Sequence, residues 1–166
     1  MTVKIAEFDA LPAAEAEALV TPCVAIPSWA TGLVAGRPYT DADDLLATAE
    51  RLAAAWTDEE VEAALADHPR IGERHAGDGE SAALSAREQA GVDPADVEVQ
   101  ARLRAGNAAY EERFGRIYLV RAAGRSAEEM LALLEERLEN DPATEIAVTR
   151  AQLAEIALLR LRGLVA

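Results

Sequence analysis

The residues with chemistry to offer gather in one stretch, 67–91. His68 stands where a helical pattern meets Pro69, and Ser85, Glu88 and Gln89 follow on a second, short helical pattern. An imidazole held at a helix end beside a pocket can act as acid or base near neutral pH. The competing reading is a polar residue that only terminates a helix. Against it, Pro69 fixes the chain beyond the histidine, and Gly72 lets the backbone turn close to a bound molecule. Ser85-x-x-Glu88 also fits a capping box. Ser81 is the better helix start, which leaves Ser85 inside, and offsets of three and four then put Ser85, Glu88 and Gln89 on one face. A hydroxyl, a carboxylate and a carboxamide there can read the donors and acceptors of a small polar ring.

Arg160 lies within roughly 40° of Ile146, Leu153, Ile156 and Leu164 on a helical wheel. An arginine on an apolar stripe needs a partner, because an unpaired buried charge is costly. That partner is either a carboxylate of the protein, such as Glu88, or the carboxylate or carbonyl groups of a substrate. Asn107 shares a face with Leu103, Tyr110 and Phe114 and reads as a satisfied core amide. Cys23 has no activating neighbour in sequence and reads as a small apolar residue. His68 and His75 match no familiar zinc spacing, and Gly77-Asp78-Gly79 lacks the positions of a calcium loop. Neither a dinucleotide nor a Walker A motif occurs, so neither metal nor nucleotide cofactor is expected.

The elements that must position these residues read as helices. Leu11-Pro12 opens a short one to about Leu19, and Thr21–Pro27 connects it to a second that Ser28 can cap and Gly36 ends. After the turn Arg37-Pro38-Tyr39, Thr40 or Asp41 caps a helix carrying Leu45, Ala49, Leu52 and Trp56. Thr57-x-x-Glu60 is a capping box for a helix towards Asp67, stopped near His68 by Pro69. Residues 74–80 read as a loop and Ser81 to Ala90 as a helix. Asp93-Pro94 starts a long helix ending at Gly115. Ile117–Val120 is the one β-type run and, lacking a partner, reads as an extended connector. Ser126-x-x-Glu129 opens a helix to about Glu139, and Asp141-Pro142 opens the last one, to Arg162.

An all-α single domain of about eight helices spanning 1–166 is the expected architecture. Composition agrees: 51% of residues are hydrophobic but only 4% aromatic, so alanine and leucine, good helix formers, carry the apolar content. A net charge of −14 argues against a nucleic-acid or anionic-membrane partner. A small anionic substrate remains possible where a local arginine overcomes that field. A single cysteine excludes an internal disulfide, and no signal peptide, membrane span or peroxisomal tripeptide is visible, so a cytoplasmic location is expected.

Taken in order, Cys23 to Trp29, Arg37-Pro38-Tyr39, His68-Pro69-Arg70-Ile71-Gly72, Ser85-x-x-Glu88-Gln89, Asn107-x-x-Tyr110-x-x-x-Phe114-Gly115 and Glu155-Ile156…Arg160-Leu161 resemble the 2-oxo-4-hydroxy-4-carboxy-5-ureidoimidazoline (OHCU) decarboxylases of urate breakdown. The resemblance covers nearly the whole chain. It implies a compact all-helical fold, commonly a homodimer, with His68 as catalytic acid and Glu88 beside it. Pro69, Ser85, Gln89, the backbone of Val120, Arg121, Ala122, Ala123 and Gly124, and Arg160 would line the substrate site. It also implies (S)-allantoin as product. One departure stands out: many members read Phe-Gly-Phe-Pro-Phe where this chain has Phe114-Gly115-Arg116-Ile117-Tyr118. The implied reaction leaves an electron pair that the substrate's own ring can delocalise, so no cofactor is required. Two alternatives stay open: a non-catalytic acidic helical module that binds another protein, and a related decarboxylase acting on a different ureide.

Overall fold

The computed structural model describes residues 2–72, 80–91 and 96–166. They form two compact units, one of Met1–Ala64 with Leu153–Ala166 and one of Leu65–Gln152. Among the described residues there are nine α-helices, two short 3₁₀ turns and no strand beyond one isolated bridge, so the expected all-α class holds.

The first unit contains α1 (Ile5–Ala10), α2 (Ala13–Val20), a 3₁₀ turn at Thr21–Cys23, α3 (Pro27–Ala35), α4 (Ala42–Ala54), nearly all of α5 (Asp58–Leu65) and the end of α9 (Pro142–Leu164). Phe8, Trp29, Leu33, Leu45 and Leu161 are fully buried in it. The Trp29 indole N–H donates to the Ala49 carbonyl at 3.0 Å, and its ring meets Trp56 edge-on at 6.3 Å. Local signals start two of these helices. Asp41 accepts the Asp44 N–H at 2.9 Å, and Thr57 and Glu60 cap each other reciprocally at 3.1 and 2.9 Å.

Two features depart from the sequence reading. α1 was not expected, and what secures its end is distant in sequence: the Arg37 guanidinium donates to the carbonyls of Phe8 at 2.9 Å and Leu11 at 2.7 Å. Ser28 does not cap α3. That helix begins one residue earlier with Pro27 in its first turn, and the Ser28 hydroxyl donates to Glu60 instead. At the chain ends Val3 and Val165 form a parallel bridge, with Val3 N–H on Leu164 O at 2.8 Å and Ala166 N–H on Val3 O at 2.9 Å.

The second unit holds α6 (Glu80–Glu88), which runs into a 3₁₀ turn at Gln89–Gly91, then α7 (Val97–Phe114), α8 (Ala127–Arg137) and the start of α9. Glu80, read as loop, is the first residue of α6. α7 is capped by Asp96, whose carboxylate accepts the Val99 N–H at 3.1 Å. Asp93 and Pro94, expected to start that helix, lie outside the described residues, as do His75 and Gly77–Gly79. Ser126 and Asp141 cap α8 and α9 as the sequence predicts, accepting from Glu129 at 3.1 Å and Thr144 at 2.9 Å. α9 runs past Arg162 to Leu164.

Leu103, Tyr110, Met130, Leu134 and Tyr118 pack into one apolar cluster of this unit. Residues 117–120 form the expected extended connector: Tyr118, Leu119 and Val120 are buried although no strand pairs with them. Gly115 turns the chain out of α7 at φ 70°, its N–H reaching Glu111 O at 2.8 Å. Nothing lies within 4 Å of where a β-carbon would sit. Gly115→Ala should therefore cost about 1 kcal/mol from backbone strain alone, seen as a lower urea midpoint. An unchanged midpoint would show that the left-handed turn relaxes freely.

Candidate active site

α5 ends at Leu65, and the chain turns back so that the His68 N–H donates to the Leu65 carbonyl at 3.0 Å. His68 and Pro69 are half-buried. The segment that follows is fastened from two sides. Gly72, at φ 88°, donates its N–H to the Gln89 side-chain carbonyl at 2.9 Å, and the Asn107 amide of α7 donates to the Ile71 carbonyl at 3.2 Å. Arg70 adds an ion pair with Glu111 at 2.6 Å. Ser85 is buried, Glu88 closes α6 half-buried, and Gln89 begins the 3₁₀ turn. Gln89 thus has its oxygen engaged by the loop after His68.

Asn107 is more than core filler. It is 5% exposed, and its Oδ1 has no hydrogen-bond partner among the described residues. Its NH₂ is what satisfies Ile71, three residues beyond the imidazole. Asn107→Ala should leave that carbonyl unpaired and cost about 1–3 kcal/mol in thermal unfolding. A cost below that range would mean water replaces the amide.

Residues 120–124 belong to the same unit. The Arg121 N–H is already taken, donating to Gln152 Oε1 at 2.9 Å, and the Ala122 carbonyl accepts from the Arg125 N–H at 3.1 Å. The amides of Val120, Ala122, Ala123 and Gly124 have no protein acceptor among the described residues. A wall that binds through amides therefore has those four to offer, and not the amide of Arg121.

Behind this wall lies a network that sequence reasoning missed. Arg137 (5% exposed) donates through Nε and Nη2 to Glu145 Oε1 at 2.8 and 2.6 Å, and Glu145 is fully buried. Arg137 Nη1 reaches the Leu119 carbonyl at 2.6 Å. The guanidinium lies 4.8 Å from the Tyr118 ring centre, the Tyr110 hydroxyl donates to Glu145, and the Asn140 amide donates to the other carboxylate oxygen at 3.0 Å. Burial raises both phenols above the ordinary tyrosine range, and at Tyr110 the hydrogen bond to Glu145 adds to it. A signal for this pair did exist. Arg137 follows Met130 by seven residues, and Glu145 precedes Leu153 by eight, so both occupy core-facing positions.

Arg160 belongs to the first unit. It is buried as its stripe predicts, and its Nη1 lies 3.4 Å from the carbonyls of both Pro22 and Cys23. Among the described residues no group of three or more His, Cys, Asp and Glu could hold a metal ion. No described helix is long and apolar enough to cross a membrane.

Residues 9–162 match the sequence model of the OHCU decarboxylases. The chain belongs to the OHCU decarboxylase family. It is 32% identical to a 2-oxo-4-hydroxy-4-carboxy-5-ureidoimidazoline decarboxylase of Amia calva, over 87% of this chain and 81% of that protein. A shorter match, 38% identical over 58 residues, falls in the uric acid degradation bifunctional protein TTL of Arabidopsis thaliana and covers 18% of it. In fold the chain resembles a crystal structure of OHCU decarboxylase in the presence of (S)-allantoin, with TM-score 0.70, 24% identity, and coverage of 86% of this chain and 94% of the other. It also resembles an (S)-allantoin synthase, with TM-score 0.72 and 17% identity, over 97% of this chain and 54% of the other.

Of the three positions that depart from the aromatic motif of many OHCU decarboxylases, Tyr118 is accommodated locally. Tyr118, which stands where they carry phenylalanine, is buried against Tyr110 at 5.4 Å, and its hydroxyl donates to the Met130 carbonyl at 2.9 Å. The extra oxygen is therefore satisfied inside the core.

Proposed function

We propose that this OHCU decarboxylase, a carboxy-lyase of urate degradation, converts OHCU to (S)-allantoin without metal or organic cofactor. The bond to the carboxylate breaks, carbon dioxide leaves, and the electron pair passes into the imidazoline ring. The ring nitrogen that receives the pair takes up a proton. The hydroxyl proton then leaves as that carbon becomes the ring carbonyl, and a proton is added to one face of the adjacent, ureido-bearing carbon, giving allantoin. The protein's task is orientation, stabilisation of ring charge and delivery of that proton. His68 holds the reacting carbon's hydroxyl and supplies the proton, and Glu88 sets the imidazole's protonation and orientation. Pro69, Ser85 and the Gln89 amide line the ring, the backbone amides of Val120, Ala122, Ala123 and Gly124 hold the anionic substrate in place, and Arg160 keeps the substrate-binding role that the family resemblance implies.

The observation that supports this reading is the Gly72–Gln89 hydrogen bond, which ties the segment after His68 to the residue next to Glu88. In this reading residues 1–166 act as one domain, in a cytoplasmic homodimer whose partner is the small anionic substrate. Neither nucleic acid nor membrane suits its acidity. OHCU made in place from urate by urate oxidase and hydroxyisourate hydrolase tests the activity, with circular dichroism following chiral allantoin. The enzyme should hasten its appearance with (S) sign. No acceleration over the spontaneous reaction would overturn the proposal.

A further inference from the structure

We infer that Arg137 and Gln152 are positioning residues that fix the substrate wall, by clamping the chain at Leu119 and Arg121 on either side of Val120. The segment needs such clamps. It is extended, buried through Tyr118, Leu119 and Val120, and has no neighbouring strand to bond its backbone. Two side chains from two helices do what a strand would. Arg137 of α8 donates to the Leu119 carbonyl at 2.6 Å, and Gln152 of α9 accepts the Arg121 N–H at 2.9 Å. Gln152 Oε1 also accepts from Arg125 Nη1 at 3.2 Å, so one oxygen holds both ends of the turn. The amides of Ala122, Ala123 and Gly124, without an acceptor among the described residues, lie inside that clamped turn.

The chemistry of Arg137 fits this task better than plain stabilisation. An apolar pair of equal volume often stabilises a core as well as a buried ion pair does. What an apolar pair cannot do is grip a backbone carbonyl. Arginine can satisfy Glu145 with its Nε and Nη2 edge while Nη1 reaches the opposite way to Leu119, a span no lysine ammonium covers. Glu145 is in turn locked by Tyr110 and Asn140, so the fork has one orientation.

The inference rests on the reading that residues 120–124 bind substrate, and steady-state kinetics on OHCU tests the two separately. Gln152 is only half-buried, so Gln152→Leu should fold with an unchanged far-ultraviolet spectrum. Losing the clamp on Arg121 should raise KM about three- to tenfold. kcat should stay within about twofold, because the wall binds ground state and transition state alike. Arg137→Lys keeps the charge and releases Leu119, and should raise KM at least as much. Should Arg137→Lys fail to fold, Gln152→Leu decides alone. A folded Gln152→Leu enzyme with unaltered KM, or with a loss confined to kcat, overturns the inference. A wild-type protein inert towards OHCU overturns the functional reading instead.

Discussion

His68→Asn should lower kcat on OHCU by about 10²–10⁴-fold, the usual worth of a positioned acid or base. Asparagine keeps a polar group of similar reach and can still hydrogen-bond, but it cannot exchange a proton near neutral pH. The backbone bond from residue 68 to the Leu65 carbonyl does not involve the side chain, and Pro69, Ile71 and Gly72 keep their own restraints. Glu88→Gln tests the second half of the assignment: it preserves shape and removes the charge that stabilises an imidazolium, so kcat should fall here too while KM moves less. Both are read from the rise of chiral allantoin by circular dichroism, alongside thermal melts. Wild-type rates in both folded variants would remove acid–base catalysis by this pair.

The largest loss of stability is expected from Glu145→Leu, about 3–5 kcal/mol, because it strands the Arg137 charge in the core. Glu145 is fully buried and accepts from Arg137, Tyr110 and Asn140, so all three lose this carboxylate together. For a chain of this length that corresponds to a melting point lowered by roughly 6–20 °C. Adding Arg137→Met should restore part of the loss by removing the stranded charge. Full recovery is not expected, since the Leu119 carbonyl would still lack its donor and the Tyr110 hydroxyl would keep only Thr149 Oγ1 at 3.4 Å. The effect should be nearly independent of salt, as the pair is shielded from mobile ions. A melting point within 2 °C of wild type, on the order of less than 1 kcal/mol, would show that the network contributes little.

How much of this was legible in the sequence follows from the range of each interaction. Capping is settled within four residues, so Asp41, Thr57, Ser126 and Asp141 could be read directly, and with them most of the helices. α1 could not, because the group that holds its last carbonyls is Arg37, far along the chain. Ser28 misled for the same reason: Glu60 draws its hydroxyl away from the cap. The cluster of His68, Ser85, Glu88 and Gln89 stood out through helical spacing and a proline stop, both local. That Gln89 would turn its oxygen to Gly72, and Asn107 its amide to Ile71, depends on how separate elements pack. The family motifs carried the remaining proposed site residues, Val120 to Gly124 and Arg160. The charges at 137 and 145 were visible as intrusions into apolar stripes, and only their mutual approach was hidden.

The bridge between Val3 and Val165 bears on how the polypeptide matures as it leaves the ribosome. The first unit takes its closing piece from Leu153–Ala166, so the N-terminal helices emerge long before the piece that completes their core. During synthesis Phe8, Trp29 and Leu33 wait for Leu161, whereas Leu65–Gln152 is contiguous and has its whole complement of partners in hand earlier. N-terminus-first assembly, the common order for multi-part chains, would leave the first unit without its closing segment until synthesis ends.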